Sequence, residues 1–184
     1  MPTKACRAQR TCALISLIYA CTAFAHLAHS AEVNEISELE ASSELELFGA
    51  YSIANLAIIN QEGNFNHISA EQSGTINFLS AQQIGFKNLL LITQAGEANS
   101  VIAQQLGDSN IAALLQAGYE NMILLEQTGF GHKAGITQYG VRNSATVEQI
   151  GLSNQVTINQ RGNGLHTSVT QSGVSMNTTI NQYD

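Results

Sequence analysis

Apolar and polar residues alternate along most of this chain, and the alternation restarts every eleven residues. In residues 66–72, Ile68 and Ala70 fall on the same side of an extended backbone as the amides at both ends, and the residues between them fall on the other side. Residues 121–127 repeat this arrangement. Apolar residues two positions apart are typical of strands rather than helices. Each unit therefore predicts a strand.

Glutamine marks all twelve units, glycine follows two residues later in every unit but the last, and asparagine marks most of them. The unit is N-x-h-x-h-x-Q-x-G-x-x, where h is apolar, and an internal repeat of this regularity decides the fold class. The glutamines are Gln61, Gln72, Gln83, Gln94, Gln105, Gln116, Gln127, Gln138, Gln149, Gln160, Gln171 and Gln182. The glycines are Gly63, Gly74, Gly85, Gly96, Gly107, Gly118, Gly129, Gly140, Gly151, Gly162 and Gly173. The asparagines are Asn55, Asn66, Asn77, Asn88, Asn99, Asn110, Asn121, Asn143 and Asn154.

A period of eleven residues also equals three turns of helix, so a hendecad coiled coil is the competing interpretation. A glycine in every unit would cost such a helix about 1 kcal/mol each time, and the alternation within a unit is that of a strand. We therefore predict an all-β, amyloid-like β-solenoid of about six 22-residue rungs, each strand-turn-strand-turn, whose strands form two parallel stacked sheets. Each unit is expected to give about seven residues of strand and four of turn, with the glycine in the turn.

The asparagines and glutamines are predicted to point inwards and to stack in columns. A single buried amide is costly. When every rung supplies one at the same height, each amide donates to the next and accepts from the one before, so the column is satisfied and the register is fixed. We expect both ends of the array to be open and able to template another chain, because an uncapped solenoid exposes unpaired backbone groups.

Residues 1–30 have the pattern of an export signal. A basic start precedes the mostly apolar residues 11–25, and small residues offer cleavage after Ala25 or Ser30. The apolar run is shorter than the roughly 20 residues that a spanning helix needs. Lipoprotein processing at Cys21 is the alternative.

Cleavage would leave a chain without cysteine and with four basic and fourteen acidic side chains, a net charge of −10. Disulfides and thiolate chemistry are then excluded, and nucleic acid is a poor partner for so acidic a chain. Residues 31–50 form an acidic leader outside the repeat. From composition alone they are a solvated flexible segment or a short amphipathic helix.

We expect neither an enzyme nor a metal site nor a bound cofactor. His67, His132 and His166 fall at different phases of the repeat, and His132 occupies an asparagine position. Metal binding needs convergent ligands, which this spacing does not supply. The repeat, residues 51–184, is therefore expected to be structural.

One apolar cluster is predicted on the outside of the solenoid. Outward positions of two adjacent rungs on the same sheet carry Leu89, Leu91, Ile111, Ala113 and Leu115. A contiguous apolar patch often marks a contact surface. We expect it to adhere to a membrane, a pore component or another fibre protein.

The motif Q-x-G-x-x-N-x-h-x-h-x-Q resembles the curlin repeat of bacterial curli fibres. Residues 94–99 and 149–154 match it position by position, and the resemblance covers residues 51–184. It implies secretion through an outer-membrane pore with accessory proteins, with residues 31–50 as the export address, and assembly into an extracellular fibre at the cell surface. Within that family, a major subunit forms the fibre and a minor subunit nucleates it.

The details are most similar to the minor, nucleating subunit. The turns read Gly-x-x-Asn, asparagine opens both strands of most rungs, and Leu165 and Met176 replace it in the last rung. The resemblance then implies the major subunit and further copies of this chain as fibre partners. The major subunit itself and a monomeric β-solenoid adhesin remain the alternatives.

Overall fold

The computed structural model describes residues 54–184, which form twelve strands joined by two-residue turns. The strands are β1 (Leu56–Asn64), β2 (His67–Thr75), β3 (Phe78–Phe86), β4 (Leu89–Glu97), β5 (Ser100–Asp108), β6 (Ile111–Tyr119), β7 (Met122–Phe130), β8 (Lys133–Val141), β9 (Ser144–Leu152), β10 (Gln155–Asn163), β11 (His166–Val174) and β12 (Asn177–Tyr183). No helix in this part of the chain is long and apolar enough to cross a membrane.

Odd-numbered strands form one six-stranded sheet, and even-numbered strands form the other. Every pair of neighbours is parallel, and each residue lies beside the one 22 positions along the chain, as Val101 lies beside Ile123. Two successive strands therefore make one rung, and β1–β2 to β11–β12 are the first to the sixth rung. The predicted β-solenoid of about six 22-residue rungs with two parallel sheets is confirmed.

The core lies between the two sheets and consists of the predicted inward apolar positions. Its buried members are Leu79, Ala81, Leu90, Ile92, Val101, Ala103, Ala112, Leu114, Ile123, Leu125, Ala134, Ile136, Ala145, Val147, Val156, Ile158 and Val169. The inward residues of the first rung are less covered, and Ile59 is 48% exposed. Each rung is thus buried by its neighbours, and a rung at an end keeps one face of its core uncovered.

The strands are longer than predicted, and the turns are shorter. Eleven strands contain nine residues, and the repeat glycine lies inside the strand at its eighth position. These glycines have positive φ, such as 110° at Gly107. The chain reverses two residues later, at a second positive-φ position that holds Ile76 at 59° and Arg142 at 56°. Parallel pairing continues past the glycine because the same distortion recurs in every rung.

The predictions of a signal in residues 1–30, with cleavage after Ala25 or Ser30 or processing at Cys21, lie outside the described residues. The same holds for the acidic leader of residues 31–50. These predictions stay as they were made.

Candidate functional site

Two columns of glutamine run along the inside of the solenoid, one in each sheet. Each glutamine from Gln61 to Gln160 donates from Nε2 to Oε1 of the glutamine 22 residues later, at 2.7–3.0 Å. Each from Gln72 to Gln182 also donates to the carbonyl oxygen 16 residues earlier, at 3.1–3.4 Å. That carbonyl belongs to the first residue of the preceding strand, so each amide links the two sheets as well as two rungs.

The asparagines form two further columns, at the turns that precede the strands. Each asparagine donates from Nδ2 to the carbonyl oxygen of the repeat glycine 19 residues later, at 2.7–3.2 Å. In return, its Oδ1 accepts the backbone N–H of the residue 22 positions later, for example Asn121 onto Asn99 at 3.1 Å. The columns therefore join side chain to backbone and hold the turns of successive rungs together.

Burial makes these columns important for stability. The column glutamines from Gln83 to Gln171 and the column asparagines from Asn77 to Asn154 are 0–1% exposed. Within residues 54–184, every buried side-chain nitrogen and oxygen has a hydrogen-bond partner. Because an unpaired buried amide costs about 1–3 kcal/mol, each member depends on its neighbours above and below.

Three residues interrupt the asparagine columns. His132 is fully buried, its Nδ1 accepts the N–H of Asn154 at 3.2 Å, and its Nε2 lies 3.1 Å from the carbonyl oxygen of Thr128. This places the proton of the neutral ring on Nε2. Leu165 and Met176 occupy the two positions of the sixth rung, and their N–H groups donate to Asn143 and Asn154 at 3.0 Å. Their own side chains have no amide to offer to a following rung.

The repeat glycines stack as closely as the amides. A Cβ placed on Gly107 would overlap the carbonyl oxygen of Gly129, and the same overlap recurs from Gly63 to Gly151. Glycine is therefore required twice, by its positive φ and by the carbonyl above it. In the sixth rung, Asp184 stands 22 residues after Gly162, and its Oδ2 accepts the N–H of Asn163 at 2.8 Å.

The predicted contact patch is brought together on the outer face of the even-numbered sheet. Leu89 lies beside Ile111, and Leu91 lies beside Ala113. Leu91 and Ile111 are 42% and 40% exposed, and Leu115 is half-buried. A shallow groove of about 260 Å³ continues from the patch across Gly135, where a side chain is missing.

Charged groups are few on this solenoid and lie on its surface. Within residues 54–184, Arg142 and Glu120 of adjacent rungs form an ion pair at 2.7 Å, and both are exposed. The hydrogen bond from Arg142 lowers the pKa of Glu120. The resulting stabilisation is present above the ordinary pKa of a glutamate and is lost as the pH falls through the lowered value. Solvent screening keeps it small. His67 and His166 are exposed residues on strands, and they do not lie next to the buried His132.

Sequence reasoning missed two features of this site. It placed the reversal of the chain at the repeat glycine, whereas the second positive-φ residue forms it; Gly131 and Gly164 share that position and were the available signal. It also treated the two ends as equivalent. Asp184 at a glycine position was the signal that they differ.

The Curlin associated repeat matches residues 96–129, 118–151, 133–162 and 140–173 of the chain. Comparison with curated proteins and with solved structures gives no match. The matched stretches overlap across the central rungs, where the four columns are buried. Curlin repeats on a β-solenoid fit a structural subunit of a curli fibre.

Proposed function

We propose that this chain is a secreted structural subunit of a curli-type amyloid fibre, and that it is the minor subunit that nucleates polymerisation at the bacterial surface. The observation that carries the proposal is the set of four amide columns on a solenoid whose repeat matches the curlin repeat. Curlin repeats belong to structural amyloid proteins, which agrees with a role in assembly rather than in catalysis.

Stacked columns lower the cost of starting a fibre. A free chain must order a whole rung before its amides find partners, and this entropy loss makes the first rung the most costly. A folded solenoid presents a finished rung, so an incoming chain gains backbone, glutamine and asparagine hydrogen bonds as it orders. The same geometry that satisfies the interior thereby acts as the template.

The choice of the minor subunit is supported by the turns and by the sixth rung. The repeat glycine is followed by Gly-x-x-Asn turns, and asparagine opens strands in both sheets. Leu165 and Met176 break both asparagine columns in the sixth rung. A fibre-forming subunit would be expected to keep these columns complete so that each copy accepts the next.

Export and surface retention complete the proposal. The predicted signal and acidic leader would direct the chain to an outer-membrane secretion pore and its accessory proteins. We assign retention at the outer-membrane surface to the patch formed by Leu89, Leu91, Ile111, Ala113 and Leu115, since exposed apolar side chains on adjacent strands are costly unless they contact something.

Seeding tests the nucleating role. Substoichiometric amounts of the folded chain are added to a fibre-forming curlin subunit, and dye fluorescence follows the lag phase. We expect a shortened lag and fibres that contain little of this chain. An unchanged lag would contradict nucleation, and fibres composed mostly of this chain would assign it the role of major subunit.

Retention is tested by replacing Leu89, Leu91, Ile111 and Leu115 with serine. We expect fibres still to form, because these side chains point away from the core, and the chain to move from the cell fraction to the medium. The matched control replaces Ile102, Met122 and Leu124, exposed apolar residues of the other sheet, with serine. Equal release by both variants, or by neither, would remove the patch from the proposal.

A further inference from the structure

The two ends of the solenoid differ in the groups that they present. In the first five rungs, each rung supplies the next with acceptors for its turn N–H groups and with glycines that leave space for its carbonyls. Each asparagine before an even-numbered strand also donates to a glycine carbonyl of the next rung, as Asn110 does to Gly129, and His132 is the exception. A rung added at either end of the solenoid needs the same contacts with the end rung that it joins.

The sixth rung fails the requirement at three positions. Neither Leu165 nor Met176 offers an acceptor to the N–H groups of a following turn, and Met176 offers no donor to a glycine carbonyl of a following rung. Asp184 stands where the column requires glycine, so a carbonyl oxygen of a following rung would overlap its Cβ and face its carboxylate. Whatever chain is laid on this rung meets the same obstacles.

Threonines also satisfy the glutamines of the sixth rung from within. Thr167 and Thr178 occupy inward positions that hold apolar residues in the other rungs. Gln171 donates from Nε2 to the hydroxyl of Thr178 at 3.0 Å and to the carbonyl oxygen of Gln155 at 3.1 Å. Thr167 donates to Oε1 of Gln182 at 2.6 Å. Both amide hydrogens of Gln171 are therefore used within this chain, and neither is left for a following rung.

The first rung has everything that a receiving rung needs. Asn55 and Asn66 occupy the asparagine positions of its turns, and Asn55 donates to the carbonyl oxygen of Gly74 at 3.1 Å, as the column asparagines of later rungs do to their glycines. Within residues 54–184, Oε1 of Gln61 and of Gln72 accepts no hydrogen bond, although both Nε2 groups donate to the second rung. The inward residues between these amides are apolar, and Ile59 is 48% exposed.

We propose that assembly is directional and requires a different chain. The first rung receives the final rung of a second solenoid of the same 22-residue period that keeps asparagine in both turn columns and glycine in both glycine columns. The sixth rung accepts nothing, and another copy of this chain is a poor partner because its sixth rung lacks those groups. This inference rests on the proposed function and adds to it the contact surface and the chemistry of the partner.

A gain-of-function variant tests the direction. In the full chain, Leu165→Asn, Met176→Asn and Asp184→Gly together restore the columns, so one copy can receive the next. We expect this triple variant alone to form fibres with a lag shortened at least about tenfold relative to wild type, since several hydrogen bonds per contact are regained. Biotin-labelled wild type added to fibres of the variant should bind at one end only and stop growth there.

Two control variants separate the columns from general effects. Ile102→Asn, Met122→Asn and Glu126→Gln make a similar change in polarity and charge on an outer face, and should assemble like wild type. Asn55→Leu with Asn66→Leu in the labelled wild-type chain should abolish end binding. The two side chains then no longer bond to Gly74 and Gly85 or accept the N–H groups of the next turns, so the turns of the first rung are not fixed. Circular dichroism confirms that each variant keeps its β-structure. If the triple variant is unfolded, the Asp184→Gly chain and the Leu165→Asn, Met176→Asn chain are used, and each should shorten the lag partially.

Three results would overturn the proposal: wild type elongating as fast as the folded triple variant, wild type binding both fibre ends, or end binding that survives the changes at Asn55 and Asn66. These assays use only variants of this chain. Failure to seed the fibre-forming subunit would instead contradict the proposed function, so the two failures are distinguishable.

Discussion

At the scale of single residues, the chain obtains stability from amides that would destabilise an ordinary core. Gln105 is fully buried, receives a hydrogen bond from Gln83 at 2.7 Å, and donates to Gln127 at 2.8 Å. Its neighbour Gln104 also bonds to a glutamine, Gln82, at 3.0 Å, but lies on the outer face. The two neighbouring glutamines therefore carry the same amide, which is buried in a column at Gln105 and lies on the outer face at Gln104.

This pair gives a direct test of the columns. Gln105→Ala should destabilise the folded chain by about 2–4 kcal/mol, because it leaves a buried donor on Gln83 and a buried acceptor on Gln127 unpaired. Gln104→Ala should cost less than about 1 kcal/mol, since water can replace its partner. Urea denaturation of the monomer followed by circular dichroism measures both. Equal costs would show that the inward column does not stabilise the fold.

His132 offers a test in the opposite direction. It replaces asparagine in a turn column and makes no hydrogen bond to Gly151, the glycine carbonyl that an asparagine there would reach. His132→Asn should therefore stabilise the chain by about 1 kcal/mol and raise its melting temperature. The reverse change in the same column, Asn110→His, should lower the melting temperature. A melting temperature that falls with His132→Asn would contradict the role given to the column.

At the scale of the element, the glycine columns set how closely two strands approach. Gly107→Ala should destabilise by more than about 2 kcal/mol, because its Cβ would meet the carbonyl oxygen of Gly129 and its φ is 110°. Gly135→Ala is the control, since a Cβ there meets nothing within 4 Å. That change should be neutral or stabilising by up to about 1 kcal/mol. Thermal denaturation compares the stability of the two variants. A similar loss of stability in both would contradict the close stacking of the repeat glycines.

The strands, their two faces and their pairing into rungs could be predicted from the sequence because one period fixes all three. Once Gln105 and Gln127 are known to be two units apart, a 22-residue rung places them side by side. The turn could not be predicted as well. Residues as different as Ile76 and Arg142 adopt positive φ there, because the hydrogen bonds of the stacked turns impose a conformation that their own preferences oppose.

At the scale of the whole molecule, stability and assembly follow from the same nearest-neighbour contacts. Each rung is covered by the next, so the inward residues are buried in the middle and less covered at the first rung. The character of an end therefore depends on a few side chains, here Leu165, Met176 and Asp184 in the sixth rung. A repeat array can in this way be an open template on one side and a barrier on the other.

The central claim is that identical positions 22 residues apart stack within one molecule. Solid-state NMR of assembled chains, with labelled protein diluted into an excess of unlabelled protein, tests it most directly. We expect through-space contacts between the side-chain amides of Gln105 and Gln127 to keep their intensity on dilution, because both belong to the same chain. Contacts that disappear on dilution, with each glutamine instead next to its own copy in another chain, would contradict the solenoid.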